Sequence, residues 1–367
     1  MKLFTKLSYS LGTLLLLGLG SCLSEIDLAA PPTTANNLAI TATLLKSSPS
    51  TLNVTVNQVD NFSGFSTPIP VNDAQVFLLN EQGEGISVPL QFEGIYRLSI
   101  PANSSSISIE EGQSYQLQIN TVEGKTYTSS FEKLNPVPKA SGLSYELETR
   151  EDINDNEDIV DQTFIRFFIN TPLTAESGDN KAVLKWDMTG TYRFVESLDE
   201  GQNIPTQKSC YVSEILQRER PVVFNGNASP RPVLEKQFII EEKLNYRFVT
   251  GYYLTVRQQS ISEEAFEYWE SIRKVVDISG NFFEAPPGKI RGNFSNSADA
   301  EEDVFGYFSA IQEDTIRLFV SPRDIDQVIL PLCPGVVPAG QEPPRFICFE
   351  CLLISNSSSQ KPDYWIQ

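Results

Sequence analysis

Short runs of alternating apolar and polar residues recur from residue 38 to residue 131, and a turn signal closes each run. The alternation is clearest over residues 115–119, where tyrosine, leucine and isoleucine alternate with two glutamines. Glycine-containing turns separate the runs at 81–85, 111–113 and 123–125. A period of two with turns at this spacing is typical of the strands of a small sandwich. The sequence therefore predicts a mainly β protein that begins with an immunoglobulin-like sandwich.

Two prolines within residues 135–138 mark the end of this sandwich, because proline donates no backbone hydrogen bond and disfavours further strand pairing. We therefore expect the sandwich at 38–138 and a larger β-rich domain at 139–367. Further strand-like runs in that domain lie at 163–169, 182–186, 191–195, 236–240 and 247–257.

One long amphipathic helix is predicted near residues 262–277 of the second domain. Ser262 is a good N-cap, and two glutamates follow it at the positive end of the helix. Glu270 and Lys274 are spaced for an ion pair on the solvated face. The apolar stripe that should pack on a sheet consists of Ala265, Trp269, Ile272 and Val276.

Residues 1–21 have the pattern of a secretory signal peptide, with Lys2 and Lys6 before a short apolar stretch. The stretch is shorter than the roughly 20 apolar residues that cross a bilayer as a helix. Residues 19–22, LGSC, resemble the bacterial lipobox, in which cleavage leaves the cysteine to receive lipid. We therefore expect lipidation at Cys22, and the alternative is an ordinary signal peptide with a chance cysteine at its end.

Residues 22–37 are polar, contain proline and lack periodicity, which predicts a tether between the lipid and the folded part. Glu25 and Asp27 follow Cys22 closely, as acidic residues often do in cell-surface lipoproteins of Bacteroidota. The expected location is the outer membrane, lipid-anchored, with the cell surface favoured over the periplasmic face.

Charge and composition exclude several classes of function. Loss of Lys2 and Lys6 with the signal peptide would change the formal net charge from −19 to −21, so nucleic acid would be repelled. The chain has no histidine, which removes Ser-His-Asp catalysis and histidine-ligated catalytic zinc. We therefore expect that the protein is not an enzyme and that it has no catalytic residues and no cofactor. Carboxylate-dependent glycoside hydrolysis remains as a less favoured alternative.

The acidic segment 152–158 is a candidate for a metal site because its alternating oxygen ligands resemble the start of a calcium loop. Glu157 stands where such a loop needs glycine, and Thr163 stands where it needs a bidentate glutamate. The sequence therefore predicts a solvated loop and no metal ligand here.

Four cysteines remain once Cys22 carries lipid, and four cysteines allow three disulfide connectivities. Outside the cytoplasm such thiols pair, so we expect disulfides among Cys210, Cys333, Cys348 and Cys351. In one connectivity Cys333 and Cys348 close a short loop, and Cys210 and Cys351 fix the C-terminal tail to the domain body. A zinc site with all four thiolates is the alternative.

Several ordered segments resemble a family of Bacteroidota outer-membrane lipoproteins, domain of unknown function 4249. Members are commonly found beside TonB-dependent transporters, which implies an accessory role in capturing or handing over a substrate. The family offers no catalytic residues to carry over. The segments are Trp186 with 190–192, 210–212, 253–258 with 262–269, 287–293, 306–308, the pair Cys348 and Cys351, and 361–365.

Two functions follow from the residues and the resemblance. The first is a lipid-anchored subunit that captures a small sugar or peptide, or acts as a lid, for a TonB-dependent transporter. The second is a free-standing surface adhesin or structural module. Four aromatic residues could stack on a sugar, but we expect most of them to pack in the core of the protein. They are Tyr252, Tyr253, Trp269 and Phe283.

Overall fold

The computed structural model describes residues 37–59, 68–154, 156–201, 207–217, 219–278, 290–343 and 345–366. The predicted signal peptide, Cys22, the tether up to residue 36 and Phe283 lie outside the described residues. Within the described ranges the protein is mainly β with one α-helix, as the sequence predicts. No helix in these ranges is long and apolar enough to span a membrane.

In chain order the first eleven strands are β1 (Asn37–Lys46), β2 (Ser50–Val59), β3 (Ile69–Pro70), β4 (Gln75–Asn80), β5 (Gly85–Val88), β6 (Leu90–Phe92), β7 (Ile95–Ile100), β8 (Ser114–Asn120), β9 (Thr126–Ser129), β10 (Glu132–Lys133) and β11 (Gly142–Ile153). The remaining elements are β12 (Ile159–Pro172), β13 (Val183–Val195), β14 (Leu198–Asp199), β15 (Ser209–Leu216), β16 (Val222–Asn225), β17 (Val233–Lys243), β18 (Tyr252–Ile261), α1 (Glu263–Ile278), β19 (Phe294–Asn296), β20 (Phe308–Val320), β21 (Val336–Val337) and β22 (Ser357–Ser358).

One large sheet of eleven strands organises these elements. Its order is β22-β15-β13-β18-β20-β1-β2-β7-β6, with β16 paired to β13 and β3 paired to β2. A second sheet has the order β19-β9-β8-β4-β5, with β10 paired to β8. The third sheet is β11-β12-β17, and β14 pairs with β21.

Two hydrophobic cores lie on the large sheet, one against each smaller sheet. In the first, alternate residues of β1 such as Ile40 and Leu44 meet Leu117 and Ile119 of β8 in one buried cluster. We call this two-layer unit the N-terminal sandwich. In the second, the strands β13, β15, β18 and β20 pack on the third sheet, and we call this unit the C-terminal sandwich. The period-two pattern of the strands therefore places apolar side chains in both cores.

A parallel ladder between β1 and β20 joins the two sandwiches. It pairs Ala42 with Phe308 and continues to the pair of Lys46 with Gln312. Just before it, the Ile40 amide donates to the Phe305 carbonyl oxygen at 2.7 Å. The first described strand thus lies between a sequence neighbour, β2, and a strand near the other end of the chain.

The ladder brings C-terminal residues into the N-terminal core. Phe294, Val304 and Phe308 are buried in the same cluster as β1 and β8, and β19 pairs with β9. The large sheet and the first core therefore both continue across the boundary predicted at Pro138, and the exact division into domains stays a prediction.

Gly306 lies two residues before β20 and allows the backbone there to approach β1 closely. Its φ is +94°, in the left-handed region, and a Cβ built there would lie 2.1 Å from the Ile40 carbonyl oxygen. A side chain at this position would meet backbone that cannot move without opening the ladder.

The helix α1 begins where the sequence predicts. Ser262 accepts a hydrogen bond from the Ala265 amide at 3.0 Å, which is the N-cap contact. Ala265 is buried against the face of the large sheet opposite the second core, and Trp269 packs beside it. Glu270 has Arg273 as its nearer partner, at 2.6 Å, whereas the predicted partner Lys274 lies at 4.0 Å.

Two disulfides fix the C-terminal tail. Cys210 in β15 bonds to Cys351, and Cys333 bonds to Cys348, so the predicted disulfides are confirmed with that connectivity. The four-thiolate zinc alternative is wrong, because zinc needs the free thiolates that these bonds consume.

We expect Gly306→Ala to lower the free energy of unfolding by about 3–4 kcal/mol, because backbone strain and a clash with Ile40 add together. Urea denaturation followed by tryptophan fluorescence measures this loss. The control is Gly83→Ala, since Gly83 also has a positive φ of +80° but no atom within 4 Å of the added Cβ. Gly83→Ala should cost only about 1 kcal/mol, and equal losses in the two variants would contradict the close approach to Ile40.

The two disulfides should differ in their contribution to stability. They close chain separations of 141 and 15 residues, which the chain-entropy model converts to about 5 and about 3 kcal/mol. The double variant Cys210→Ser/Cys351→Ser should therefore unfold at lower urea than Cys333→Ser/Cys348→Ser. The reverse order would show that strain or residual structure outweighs loop entropy here.

Candidate functional site

A cleft of about 580 Å³ lies between α1 and the segment that leads into β19. We call it the α1 cleft. Its lining residues combine tyrosines with charges of both signs, and they are Ser130, Glu264, Glu267, Tyr268, Ser271, Lys274, Ile290, Arg291, Gly292, Asn293 and Tyr307.

A buried carboxylate, Glu132 of β10, lies behind this lining and is only 2% exposed. The Tyr307 hydroxyl donates to its Oε1 at 2.5 Å, and the Asn293 side-chain amide donates to the same oxygen at 3.3 Å. The Ser262 hydroxyl donates to its Oε2 at 2.8 Å. Three chain segments far apart in sequence are thus bonded to one carboxyl group.

Burial raises the pKa of Glu132 to about 7, against the effect of the three hydrogen bonds, which favour the ionised form. The nearby Glu264 carboxylate raises the pKa further. Burial and the adjacent Glu132 carboxylate in turn raise the pKa of the Tyr307 hydroxyl. A carboxyl group with a pKa near neutrality beside a cleft is a candidate functional group.

Asn293 and Gly292 hold the wall of the cleft against β20. The Asn293 side chain accepts from the Phe308 amide at 2.8 Å and donates to the Phe308 carbonyl oxygen at 2.9 Å. A Cβ on Gly292 would lie 1.8 Å from the Gly306 carbonyl oxygen, so only glycine fits there. These contacts fasten this wall of the cleft to β20.

Tyr268 and Tyr307 form a stacked pair at the cleft, with ring centroids 4.8 Å apart and an angle of 30° between the rings. The exposed carboxylates of Glu264 and Glu267 and the exposed cations of Lys274 and Arg291 surround the pair. The Tyr307 ring is buried, so the half-buried Tyr268 ring is the aromatic surface of the pair that a ligand can reach. An aromatic ring edged by charged groups suits the binding of a small polar ligand.

Three of the segments that carry the family resemblance meet at this cleft. They are 262–269, the described part of 287–293, and 306–308. The sequence separates them by up to about 40 residues, and the large sheet together with α1 brings them to one place. The resemblance therefore rests partly on residues that build the site.

The other aromatic residues named in the sequence analysis pack against neighbouring side chains. Tyr252 is buried and stacks on Phe248 at 4.3 Å, and Tyr253 packs on Trp365 at 5.1 Å. Both therefore lie in packed surroundings, as expected. Trp269 is half-buried beside Tyr268.

The buried Glu196 lies near the disulfide of Cys210 and Cys351, and its carboxylate oxygen and the two sulfurs lie within 4.8 Å of one another. The Cys351 amide donates to that carboxylate at 2.8 Å. Because the sulfurs are bonded to each other, this group supports the C-terminal tail and offers no thiolate to a metal.

The described residues of the acidic segment 152–158 lie at the end of β11 and in the turn before β12. Asn154 accepts from the amides of Asn156 and Asp158, both at 2.9 Å, and Lys243 pairs with Asp152 at 2.6 Å. Asp155 lies outside the described residues. These contacts stabilise a hairpin turn.

Sequence reasoning missed Glu132, although one signal pointed to it. Glu132 and the buried Leu134 are two residues apart, so alternation places both on the inward face. A glutamate at an inward position needs partners, and these come from residues 130 to 175 positions away.

Glu132 should make stability depend on pH. Its carboxyl group keeps a proton up to about pH 7 in the folded protein, against a reference value of 4.5. The resulting stabilisation is fully present below pH 4.5 and is lost as the pH rises through 7. Relative to Glu132→Gln, the wild type should lose about 3 kcal/mol of unfolding free energy between pH 4.5 and pH 8.

Urea denaturation across that pH range tests the expectation. Glu81→Gln is the control, because Glu81 is exposed in a turn, and its profile should follow the wild type. Parallel profiles for the wild type and Glu132→Gln would show that Glu132 does not titrate near neutrality.

When the chain is compared with known proteins, it matches a family model. None of the curated proteins compared with the chain matches it. A family model described as "Domain of unknown function (DUF4249)" matches residues 24–317. The match includes all three segments of the α1 cleft and ends within β20, before Cys333, Cys348 and Cys351. Since the match spans most of the sequence, the chain belongs to the DUF4249 family.

Proposed function

We propose that the protein is a lipid-anchored outer-membrane accessory subunit that captures a small ligand, a sugar or a peptide, for a TonB-dependent transporter or covers that transporter as a lid. In this proposal Cys22 carries the lipid, residues 22–37 form the tether, and the cell surface is the favoured location. The N-terminal sandwich is immunoglobulin-like and α1 is amphipathic.

The α1 cleft is the observation that carries the proposal. It is a concave site of small-molecule size, with a stacked tyrosine pair and charged groups at its edge. Capture of a small ligand requires a binding site of this kind and no chemical reaction. This agrees with a chain that contains no histidine.

Exposed apolar residues near the disulfides support a protein partner. Val328 is 91% exposed and Phe346 is 83% exposed, and both are close in sequence to the bonded Cys333 and Cys348. In this proposal Val328 and Phe346 contribute to the surface that contacts the transporter, because burial against a partner would remove their apolar area from water.

Lipidation is tested by metabolic labelling with a fatty-acid analogue. The wild-type chain should carry label and fractionate with the outer membrane, and Cys22→Ser should lose both properties. A labelled Cys22→Ser chain would contradict the assignment of the lipid to this cysteine.

Partnership is tested by detergent pull-down of the tagged chain from its own cells. A β-barrel transporter should co-purify in stoichiometric amount, and the double variant Val328→Ser/Phe346→Ser should reduce its yield several-fold. The control is Val122→Ser, which changes an equally apolar side chain that is 71% exposed in the N-terminal sandwich. Recovery of the chain alone would favour the free-standing adhesin instead.

A further inference from the structure

One carboxyl group joins three parts of the molecule behind the α1 cleft. Glu132 of β10 bonds to Ser262 at the start of α1, to Asn293 in the segment before β19 and to Tyr307 just before β20. The same three parts of the chain supply most of the residues that line the α1 cleft. The protonation state of Glu132 therefore acts on the walls of this cleft.

The ionised form of Glu132 has no cation to balance its charge. The side chain is 2% exposed, and no lysine or arginine side chain pairs with it within the described ranges. Its three hydrogen-bond donors are neutral groups, and its charged neighbour is the Glu264 carboxylate, which has the same sign. Burial therefore penalises the ionised form of this carboxyl group.

The neutral form keeps the same contacts. Its Oε1 still accepts from Asn293 and Tyr307, and a proton on Oε2 can donate to the Ser262 hydroxyl oxygen, which keeps that contact with its direction reversed. The Ser262 oxygen already accepts from the Ala265 amide at 3.0 Å, and a hydroxyl oxygen can accept a second hydrogen. The closed arrangement thus suits the protonated carboxyl group.

The three partners of Glu132 differ in how they are held to the rest of the fold. The Tyr307 carbonyl oxygen accepts from the Ala42 amide at 2.9 Å, and the Asn293 side chain makes two bonds to the backbone of Phe308. Helix α1 instead packs through the smallest of the three apolar clusters in the described part of the chain. Segments with few buried apolar contacts open at the lowest free energy, so the start of α1 is the part that moves.

The groups around Glu132 come from every element packed against it. On β8 the paired residue is Tyr115, and its hydroxyl group donates to the Ser108 carbonyl oxygen at 2.8 Å. Lys133, the next residue of β10, is exposed. The charged residues that line the cleft in front of Glu132 are Glu264, Glu267, Lys274 and Arg291.

The pH range of the effect follows from two observations. The pKa of Glu132 is about 7 in the closed arrangement and returns to its reference value of 4.5 where water reaches the carboxyl group. Opening is therefore hardest below pH 4.5, becomes easier as the pH rises to 7 and changes no further above that. The chain has no histidine, so no side chain with an ordinary pKa titrates in the same range.

We propose that Glu132 is a pH-sensitive latch of the α1 cleft. With its proton it holds the start of α1 against β10 and Tyr307. Its ionisation releases the start of α1, separates the Tyr268 ring from the Tyr307 ring and widens the cleft. The inference names a regulation of the capture site and rests on the proposed function for its meaning, since the protonated latch would hold a captured ligand and ionisation would release it.

The test is hydrogen exchange of the detergent-purified mature chain, measured by mass spectrometry on peptides from residues 262–269 and from β13. Rates are corrected for the intrinsic effect of pH, so that protection reports the opening equilibrium. The protection of residues 262–269 should fall about 50-fold to 100-fold from pH 5 to pH 8. It should stay constant in Glu132→Gln, which imitates the neutral form. Constant protection in the wild type, or an equal fall in the variant, would overturn the proposal.

A low concentration of urea separates the latch from unfolding of the whole chain. At pH 8, about 1 M urea should accelerate exchange in β13, because global unfolding exposes much surface. It should leave residues 262–269 unchanged, because local opening exposes little surface. Parallel acceleration of both peptides would show that the start of α1 opens only when the whole chain unfolds, which refutes the latch.

Two variants that keep Glu132 should move the pH at which protection stops falling, in opposite directions. Tyr307→Phe removes a donor that favours the ionised form, so the limit should move to higher pH. Glu264→Gln removes a like charge, so the limit should move to lower pH. The control is Tyr127→Phe, which deletes a buried hydroxyl that donates to Glu302 at 2.8 Å and should follow the wild type. No shift, or shifts in the same direction, would contradict the latch even if Glu132→Gln does not fold.

The result is independent of the transporter, because hydrogen exchange is measured on the purified chain alone. Loss of protection with rising pH and no co-purifying barrel supports the latch and contradicts the proposed partnership. A co-purifying barrel with pH-independent protection contradicts the latch and leaves the partnership in place.

Discussion

The parallel ladder between β1 and β20 is the contact on which the rest of the structure depends. It joins residues more than 260 positions apart, so its formation requires closure of a loop that contains most of the folded chain. Closing such a loop is slow and costs conformational entropy, which the two cores must offset. Because Phe294 and Phe308 complete the N-terminal core, the N-terminal sandwich does not have all of its apolar contacts until the ladder has formed.

The α1 cleft is a consequence of that ladder. Tyr307, one residue before β20, is placed by the ladder against Glu132, and Ser262 reaches the same carboxylate from the start of α1. The hydrogen bonds at Glu132 and Asn293 therefore link the N-terminal sandwich, α1 and β20 in one small volume.

Sequence patterns predicted the local features well and the long-range ones poorly. The alternation over 115–119 and the Ser262 cap depend on neighbouring residues, so period and residue type were sufficient to identify them. The disulfides followed from cysteine count and compartment. The pairing of β1 with β20 produces no pattern in the neighbouring sequence. The same holds for the hydrogen bonds that Ser262, Asn293 and Tyr307 donate to Glu132.

The position of β1 also has a mechanical consequence. β1 is the first strand among the described residues, and it is hydrogen-bonded to β2 on one side and to β20 on the other. If the lipid is on Cys22, a pull on the anchor acts along β1 from its amino end. Such a load would have to shear two ladders at the same time, whereas a strand at a sheet edge would yield through one. Under that condition β1 would be among the most force-resistant strands in the described part of the chain.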